Sequence, residues 1–331
     1  MIDKISIIMP VKNTASFLEE CLDSIVLQSH LDWELIAVDD HSSDSSPEIL
    51  SDYSSRDSRI SVVQNNGRGI IEALKTGYQL STGTFITRMD SDDTMPPKKL
   101  ERLLAQWHVK GPGHVVTGLV EYFSQGELGD GYRRYSNWLN ELTKNNNNFS
   151  DIYKECPIAS PNWLMHRTDF ERSGSFDTPM YPEDYCLVFN WKQQGYKING
   201  LAEVTHRWRD YSYRTSRTDD NYSDNRFTKL KVSYFAKLDY NPQKTLVLWG
   251  AGNKGKAIAK ELISNDISFK WICDNSKKIG LNIYGVQMED IASLKKHTDQ
   301  QIIIAVSQRN TKSQIIQQLK SQEIKDYYFF C

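Results

Sequence analysis

Hydrophobic positions along the first hundred residues switch between two spacings. Lys4–Val11 is an apolar, β-rich run that stops at Pro10, and Glu34–Val38, Ile60–Gln64 and Thr84–Arg88 are shorter runs of the same kind. Between them, Ser16–Ser29 sets Phe17, Leu18, Cys21, Leu22, Ile25 and Val26 on one helical stripe, with Ser16 as N-cap. Ser46–Tyr53, Ile70–Leu80 and Pro97–Trp107 also have helical spacing. Strands alternating with helices of this length predict a mainly parallel sheet with helices on both faces. Residues 110–180 are less regular: Gly111-Pro112-Gly113 reads as a turn and Asn145–Asn148 as an exposed loop. Tyr185–Gln194 and Phe227–Leu238 read as helices. The alternation restarts after Asn241-Pro242, with strands at Thr245–Trp249, Phe269–Cys273, Gln301–Val306 and Tyr327–Phe330. Helices follow Gly255 and cover Lys312–Ser321. The chain is thus divided into residues 1–215, a helical linker 216–241, and a small α/β domain 242–331.

Composition narrows the class. The length of 331 residues suits about two domains at ~150 residues each. With 39% hydrophobic and 25% charged residues the chain is neither disordered nor a coiled coil. A formal net charge of -2 argues against a basic nucleic-acid binder. The apolar runs are strand-sized, well short of the ~20 residues that a membrane helix needs. No basic, apolar and cleavage segments open the chain, so no secretory signal is expected. Cys21, Cys156, Cys186, Cys273 and Cys331 are scattered without a CxxC pair, and read as reduced thiols of a cytoplasmic protein.

The strongest local signal is Arg88-Met-Asp-Ser-Asp-Asp93 at a strand end. On an extended strand Asp90 and Asp92 share one face and Asp93 points away. Carboxylates there suit Mg²⁺ or Mn²⁺, at the edge of an open α/β sheet where ligands bind. Alone, the same residues also describe an acidic turn. Around them stand Met9-Pro-Val-Lys-Asn13, Val38-Asp-Asp-His-Ser-Ser-Asp44, the loop Asn65-Asn-Gly-Arg-Gly69 and, about a hundred residues on, Pro182-Glu-Asp-Tyr185. In order and spacing, residues 1–215 resemble a family 2 glycosyltransferase of the GT-A fold, nucleotide-sugar-dependent and inverting.

The resemblance implies roles for individual residues. Pro10 and Lys12 match the loop beneath the donor nucleotide, with Lys12 able to meet phosphate where relatives carry an aromatic residue. Asp40 matches the acid that accepts a hydrogen bond from the base, typically uracil, while Asp39 is as readily a turn-former through Ser42 or Ser43. Arg68, between Gly67 and Gly69, can approach the diphosphate or lie solvated. Asp90 matches a donor contact and Asp92 the metal ligand, with Asp90 and His206 completing the metal site, although His206 also reads as a plain structural histidine. Glu183-Asp184 matches the base motif: Asp184 is the expected base, Glu183 the alternative, and helix-dipole acids the plain reading. Asn162 and Trp163 fall on the acceptor side, although Trp163 equally suits core packing. Arg207, Arg209, Arg214 and Arg217, with Trp208, Tyr211 and Tyr213, form a basic-aromatic stretch that suits a flap over the diphosphate, an acceptor platform or a solvated surface. The implied activity is a hexosyl- or N-acetylhexosaminyl-transferase. It uses a nucleotide-sugar donor, most simply a UDP-sugar, with Mn²⁺ or Mg²⁺. The implied acceptor is a surface glycan or lipid-linked precursor, reached from the cytoplasm with peripheral contact at the inner membrane face.

Near the C-terminus Gly250-x-Gly252-x-x-Gly255 follows a strand and opens a helix, and Asp274 ends the next strand. This context fits a dinucleotide fingerprint and resembles Rossmann-like domains. A nucleotide site and a docking or oligomerisation role stand level. A nicotinamide-dependent oxidoreductase and a non-catalytic nucleotide-sugar-binding protein are the alternative functions. The first is disfavoured because no catalytic domain follows the fingerprint. The second is disfavoured because Asp90, Asp92 and Asp184 are all present.

Overall fold

The computed structural model describes residues 3–124, 126, 129–178, 180–212, 214, 227–297, 299–308 and 311–331. The chain divides into two compact units, Met1–Ser150 with Pro157–Arg217, and Asp151–Cys156 with Thr218–Cys331. Tyr213, Arg217 and the boundary drawn at 215/216 lie outside the described residues.

Unit 1 begins with β1 (Ile5–Val11), α1 (Ala15–Val26), β2 (Trp33–Asp39), α2 (Ser46–Arg56), β3 (Ile60–Gln64), α3 (Ile70–Leu80), β4 (Phe85–Arg88) and α4 (Lys99–Lys110). β1 pairs in parallel with β2 and β4, and β2 with β3. Ile5, Ile7, Ile8, Met9 and Val11 are fully buried, as befits a central strand covered on both faces. β1 runs past Pro10 rather than stopping there, because β4 has ended and only the β2 side is still paired. α1 buries Leu18, Cys21, Leu22 and Ile25, the expected stripe, but its N-cap position is Thr14, not Ser16.

The stretch read as irregular holds β5 (His114–Ser124), α5 (Asp130–Lys144), β6 (Trp163–His166) and α6 (Arg167–Arg172). Next come α7 (Glu183–Gln193) and the long β7 (Lys197–Asp210). The sheet order is β3-β2-β1-β4-β6-β5-β7, with β6 antiparallel to β4 and β5, and β5 parallel to β7. Glycines inside the strands disguise them. A Cβ at Gly118 would sit 2.2 Å from Thr205 Oγ1, beside the register shift between β5 and β7, and one at Gly200 would sit 1.9 Å from the Thr143 carbonyl oxygen. Both mark close approach, not turns. Within the four-asparagine run only Asn145–Asn147 are exposed; Asn148 is buried and donates to the Pro157 carbonyl at 2.8 Å.

Unit 2 comprises α8 (Thr228–Leu238), β8 (Thr245–Trp249), α9 (Asn253–Ser264), β9 (Lys270–Cys273), β10 (Asn282–Ile283), β11 (Val286–Asp290), β12 (Gln300–Ile304), α10 (Lys312–Ser321) and β13 (Tyr327–Phe329). Its sheet runs β10-β11-β9-β8-β12-β13, parallel except for the β10–β11 pair. Val247, Trp249, Ile272, Ile302 and Ile304 form its core with Leu319 of α10. Gly250 has φ +122°, and a Cβ there would lie 2.8 Å from the Ala305 carbonyl oxygen; one at Gly255 would lie 2.1 Å from that of Gly250. These two glycines therefore let α9 close on β8. Gly255→Ala should lower the thermal midpoint of unit 2 through about 1–3 kcal/mol of overpacking, read by calorimetry. An unshifted transition would refute the close-packing account. Among the described residues, no helix is long and apolar enough to cross a membrane, and all five cysteines are free.

Candidate active site

The Asp-rich segment leaves β4 at the sheet's C-terminal edge. Met89 N–H bonds the Ile8 carbonyl at 3.0 Å, Asp93 N–H reaches back to the Asp90 carbonyl at 3.2 Å, and Thr94 exchanges both backbone bonds with Arg207 of β7. The acidic turn is thus clamped to the strand that carries His206. Asp93, fully buried, accepts from Arg209 N–H at 2.8 Å and from His206 Nε2 at 3.0 Å. His206 Nδ1 lies 3.3 Å from Lys99 Nζ, which also donates to the Pro161 carbonyl at 2.6 Å. Lys99 donating to Nδ1 leaves the Nε2 proton for Asp93, which sets the imidazole tautomer. Burial pushes the Lys99 ammonium down to about 7 and holds His206 neutral well below its ordinary value. His206 was expected in the metal site. Instead both ring nitrogens are committed and the ring is fully buried, so it orders Asp93.

Asp92 takes a 2.8 Å hydrogen bond from Tyr211 Oη on Oδ2, with Arg214 Nε 3.9 Å from the same oxygen. Arg209 also donates to the Asp92 carbonyl at 2.8 Å. The basic-aromatic stretch is therefore packed onto the acidic turn through Arg209, Tyr211 and Arg214, while Trp208 packs on Val120 and Leu139 and the Arg207 side chain stays exposed. Burial and the neighbouring Asp93 charge push Asp92 up to about 7, with Arg214 opposing. Asp90 Oδ1 accepts from Arg88 Nε at 2.9 Å. Among the described residues, Asp90 Oδ2 and Asp92 Oδ1 accept no hydrogen bond.

The base motif opens α7. Arg88 Nη1 donates to Glu183 Oε1 at 2.7 Å, and both side chains are about 95% buried. Among the described residues Glu183 Oε2 is buried without a hydrogen-bond partner. Asp184 follows, its carboxyl pushed up by burial and by the Glu183 charge, against the pull of Arg88. Arg88 and Lys99 are the residues of this cluster that sequence reasoning leaves without a role, and Tyr211 reads there only as part of the basic-aromatic stretch. The signal for Arg88 was a lone cation at a buried strand end, two residues before Asp90.

Asp40 sits at the end of the β2 segment. It accepts from Lys12 Nζ at 2.9 Å, Asn65 Nδ2 at 2.6 Å and Gly69 N–H at 2.9 and 3.0 Å. These contacts hold it below the usual carboxylate range despite burial. A carboxylate has about four lone-pair sites, so the Asp40 expected to read a base is instead committed to the Gly67–Gly69 loop. Asp39 does form the turn, accepting from Ser42 N–H at 3.3 Å. Lys12 is 58% exposed, Arg68 is exposed, and Pro10 is half-buried beside them.

The acceptor assignments are corrected. Asn162 is fully buried, donating to the Gly118 carbonyl at 2.8 Å and accepting from Thr205 Oγ1 at 2.7 Å. Trp163 is 2% exposed, bonds the Ser160 carbonyl at 2.7 Å, and packs on Phe170 and Trp191. Asn162 ties β5 to β7, and Trp163 packs in the core, where it lines a small cavity with Glu183 and Asp184. In unit 2, Gly252 has open space at the α9 N-terminus and Asp274 is exposed. Lys278 Nζ takes the Ala251 carbonyl at 2.6 Å.

The donors around Asp92 suit a divalent cation. They are hard oxygens, burial and the Asp93 charge push Asp92 up toward neutrality, and among the described residues Asp90 and Asp92 each keep one oxygen without a hydrogen bond. No three His, Cys, Asp or Glu side chains converge on one point among the described residues. Mg²⁺-type sites use one or two carboxylates and complete the shell with substrate phosphate, so the residues present fit such an ion.

A sheet of this order, with carboxylates at the ends of its central strands and an acidic helix start beside them, has the GT-A fold. The model of glycosyl transferase family 2 matches residues 6–174. The chain is 36% identical over 236 residues to TuaG of Bacillus subtilis (strain 168), a glycosyltransferase named for teichuronic acid biosynthesis; the match covers 70% of this chain and 86% of that protein. The chain belongs to glycosyltransferase family 2. Two solved structures share the fold. S. aureus TarS 1-349 in complex with UDP-GlcNAc has TM-score 0.55 and 15% identity, covering 78% of this chain and 71% of that one. The mannosyltransferase PcManGT of Pyrobaculum calidifontis, in complex with GDP-Man and Mn2+, has TM-score 0.52 and 20% identity, covering 78% and 69%. The chain spans only 20–41% of the length of other glycosyltransferases of Streptococcus pneumoniae and B. subtilis that it matches.

Proposed function

We propose that this enzyme moves a hexosyl or N-acetylhexosaminyl group, with inversion, from a UDP-sugar to a hydroxyl of a surface glycan or lipid-linked saccharide. The observation that carries this reading is the junction of Asp90, Arg88 and Glu183, which sets the α7 start beside the donor-side carboxylates. Asp184 takes the proton from the attacking hydroxyl; a carboxyl pushed up toward neutrality is matched to that task. Lys12 and Arg68, exposed at the mouth, meet the diphosphate. Asp92 and Asp90 would hold Mn²⁺ or Mg²⁺, which when bound neutralises charge on the leaving diphosphate. TarS with UDP-GlcNAc supports the UDP donor, PcManGT with Mn2+ supports the ion, and TuaG supports a surface polysaccharide as product. The glycine loop of unit 2 is read as packing for α9, which leaves the nicotinamide reading without a residue that needs it.

The test is a panel of UDP- and GDP-sugars with Mn²⁺, followed by proton NMR of the first product formed. The expected result is release of UDP and a product anomer opposite to that of the donor. A product of retained configuration would overturn the mechanism.

A further inference from the structure

Arg88 is the last residue of β4, and its guanidinium lies between two carboxylates brought together by the fold. Nε and Nη2 both lie 2.9 Å from Asp90 Oδ1, and Nη1 lies 2.7 Å from Glu183 Oε1. Its partners come from opposite ends of the site, the donor turn and the helix that carries the base. The Arg88 side chain is 5% exposed and that of Glu183 4%. Charges this buried are costly to leave unpaired, so the three groups hold one another in a single arrangement. A planar fork can address two acceptors in different directions, which an ammonium does poorly. Each acid commits one oxygen. Among the described residues Asp90 Oδ2 accepts no hydrogen bond, while Glu183 Oε2 is buried beside a small cavity lined by Ser160, Trp163, Phe176, Asp184 and Leu187.

We infer that Arg88 and Glu183 are positioning residues acting as one strut, which registers Asp184 against the donor carboxylate Asp90. Glu183 is then an anchor, not the base, and the paired acids at the helix start have separate jobs. The inference rests on Asp184 being the base. It goes further in giving Arg88 a role and in making the two acids non-equivalent.

The experiment uses the full chain, Mn²⁺ and the UDP-sugar hydrolysed fastest in a panel, with rates divided by the UDP-binding stoichiometry from calorimetry. Glu183→Gln keeps an acceptor for Arg88 and should fold. Its kcat should fall about 10-fold while UDP affinity stays within about twofold, because the helix start loosens but the donor side does not. Arg88→Lys should lose both, with kcat down about 100-fold and UDP affinity down about 10-fold. The double variant should be no slower than Arg88→Lys alone, since the second change removes a contact already gone. Normalised rates equal to wild type, or losses that simply multiply, would overturn the strut. If Arg88→Lys does not fold, Glu183→Gln decides alone: an unchanged normalised kcat overturns the strut and a loss at constant UDP affinity supports it. Asp184→Asn is the control for the underlying reading. Activity kept in Asp184→Asn overturns the base assignment, whereas activity lost there but kept in Glu183→Gln overturns only the strut.

Discussion

Asp184→Asn should bind UDP as the wild type does and lose about 10²–10⁴-fold in kcat. The amide has the size of the carboxyl and keeps an oxygen for the Tyr185 N–H, which bonds Asp184 Oδ1 at 2.7 Å. The α7 start therefore keeps its shape, and what disappears is the capacity to accept a proton. The pH profile carries a second signature. Burial and the Glu183 charge push Asp184 up to about 7, so it loses its proton only as the pH rises toward neutrality. A base must be ionised to work. Activity should therefore decline below about pH 7 rather than below the ordinary carboxylate range near 4. Stopped-assay kcat values across that range, with UDP binding followed in parallel, check both points. Near-normal turnover in Asp184→Asn would place the base elsewhere.

How much of this was legible in the sequence varies with how local the cause is. The first four strands and helices could be read because each is a buried run or an apolar stripe bounded by its own turn, as in α3, Ile70–Leu80. β5 and β7 could not, since Gly118 and Gly200 interrupt them for reasons lying in Thr205 and Thr143, far along the chain. The candidate site divides in the same way. Asp90, Asp92 and Glu183-Asp184 stand out as acids at strand and helix ends. The partners of those acids do not, because partnership is tertiary: Arg88 meets Glu183 across 95 positions and His206 meets Asp93 across 113. For His206 and Trp163 the sequence leaves a structural reading open beside the ligand one, and Asn162 is placed by its position alone. A polar or aromatic residue near a motif suggests a ligand contact, and only the fold shows its hydrogen-bonding atoms already used.

Asp92→Asn should cost as much as removing the base, and chelation of divalent cations should reproduce it. Neutralising the leaving diphosphate is worth several kcal/mol of charge stabilisation, so a loss of about 10³-fold is expected with either change. EDTA should not lower the variant much further, and turnover that persists in both cases would sink the assignment. A stability measurement separates the ion's role from simple disruption. Asp92 is pushed up to about 7 by burial and by Asp93, above its value in an unfolded chain. The folded state thus holds this proton more tightly, and the stability it lends is full at low pH and lost as the pH rises through about 7. His206, held neutral by burial, works in the opposite direction and is common to wild type and variant. Asp93 is also raised and lies against Asp92, so the difference between the two proteins reports this carboxylate pair. From about pH 5 to about pH 8 the wild type should lose more in Tm than Asp92→Asn does, by differential scanning fluorimetry. Mn²⁺ added at the higher pH should raise the wild type more than the variant, which keeps Asp90 but has lost the anionic oxygen of Asp92.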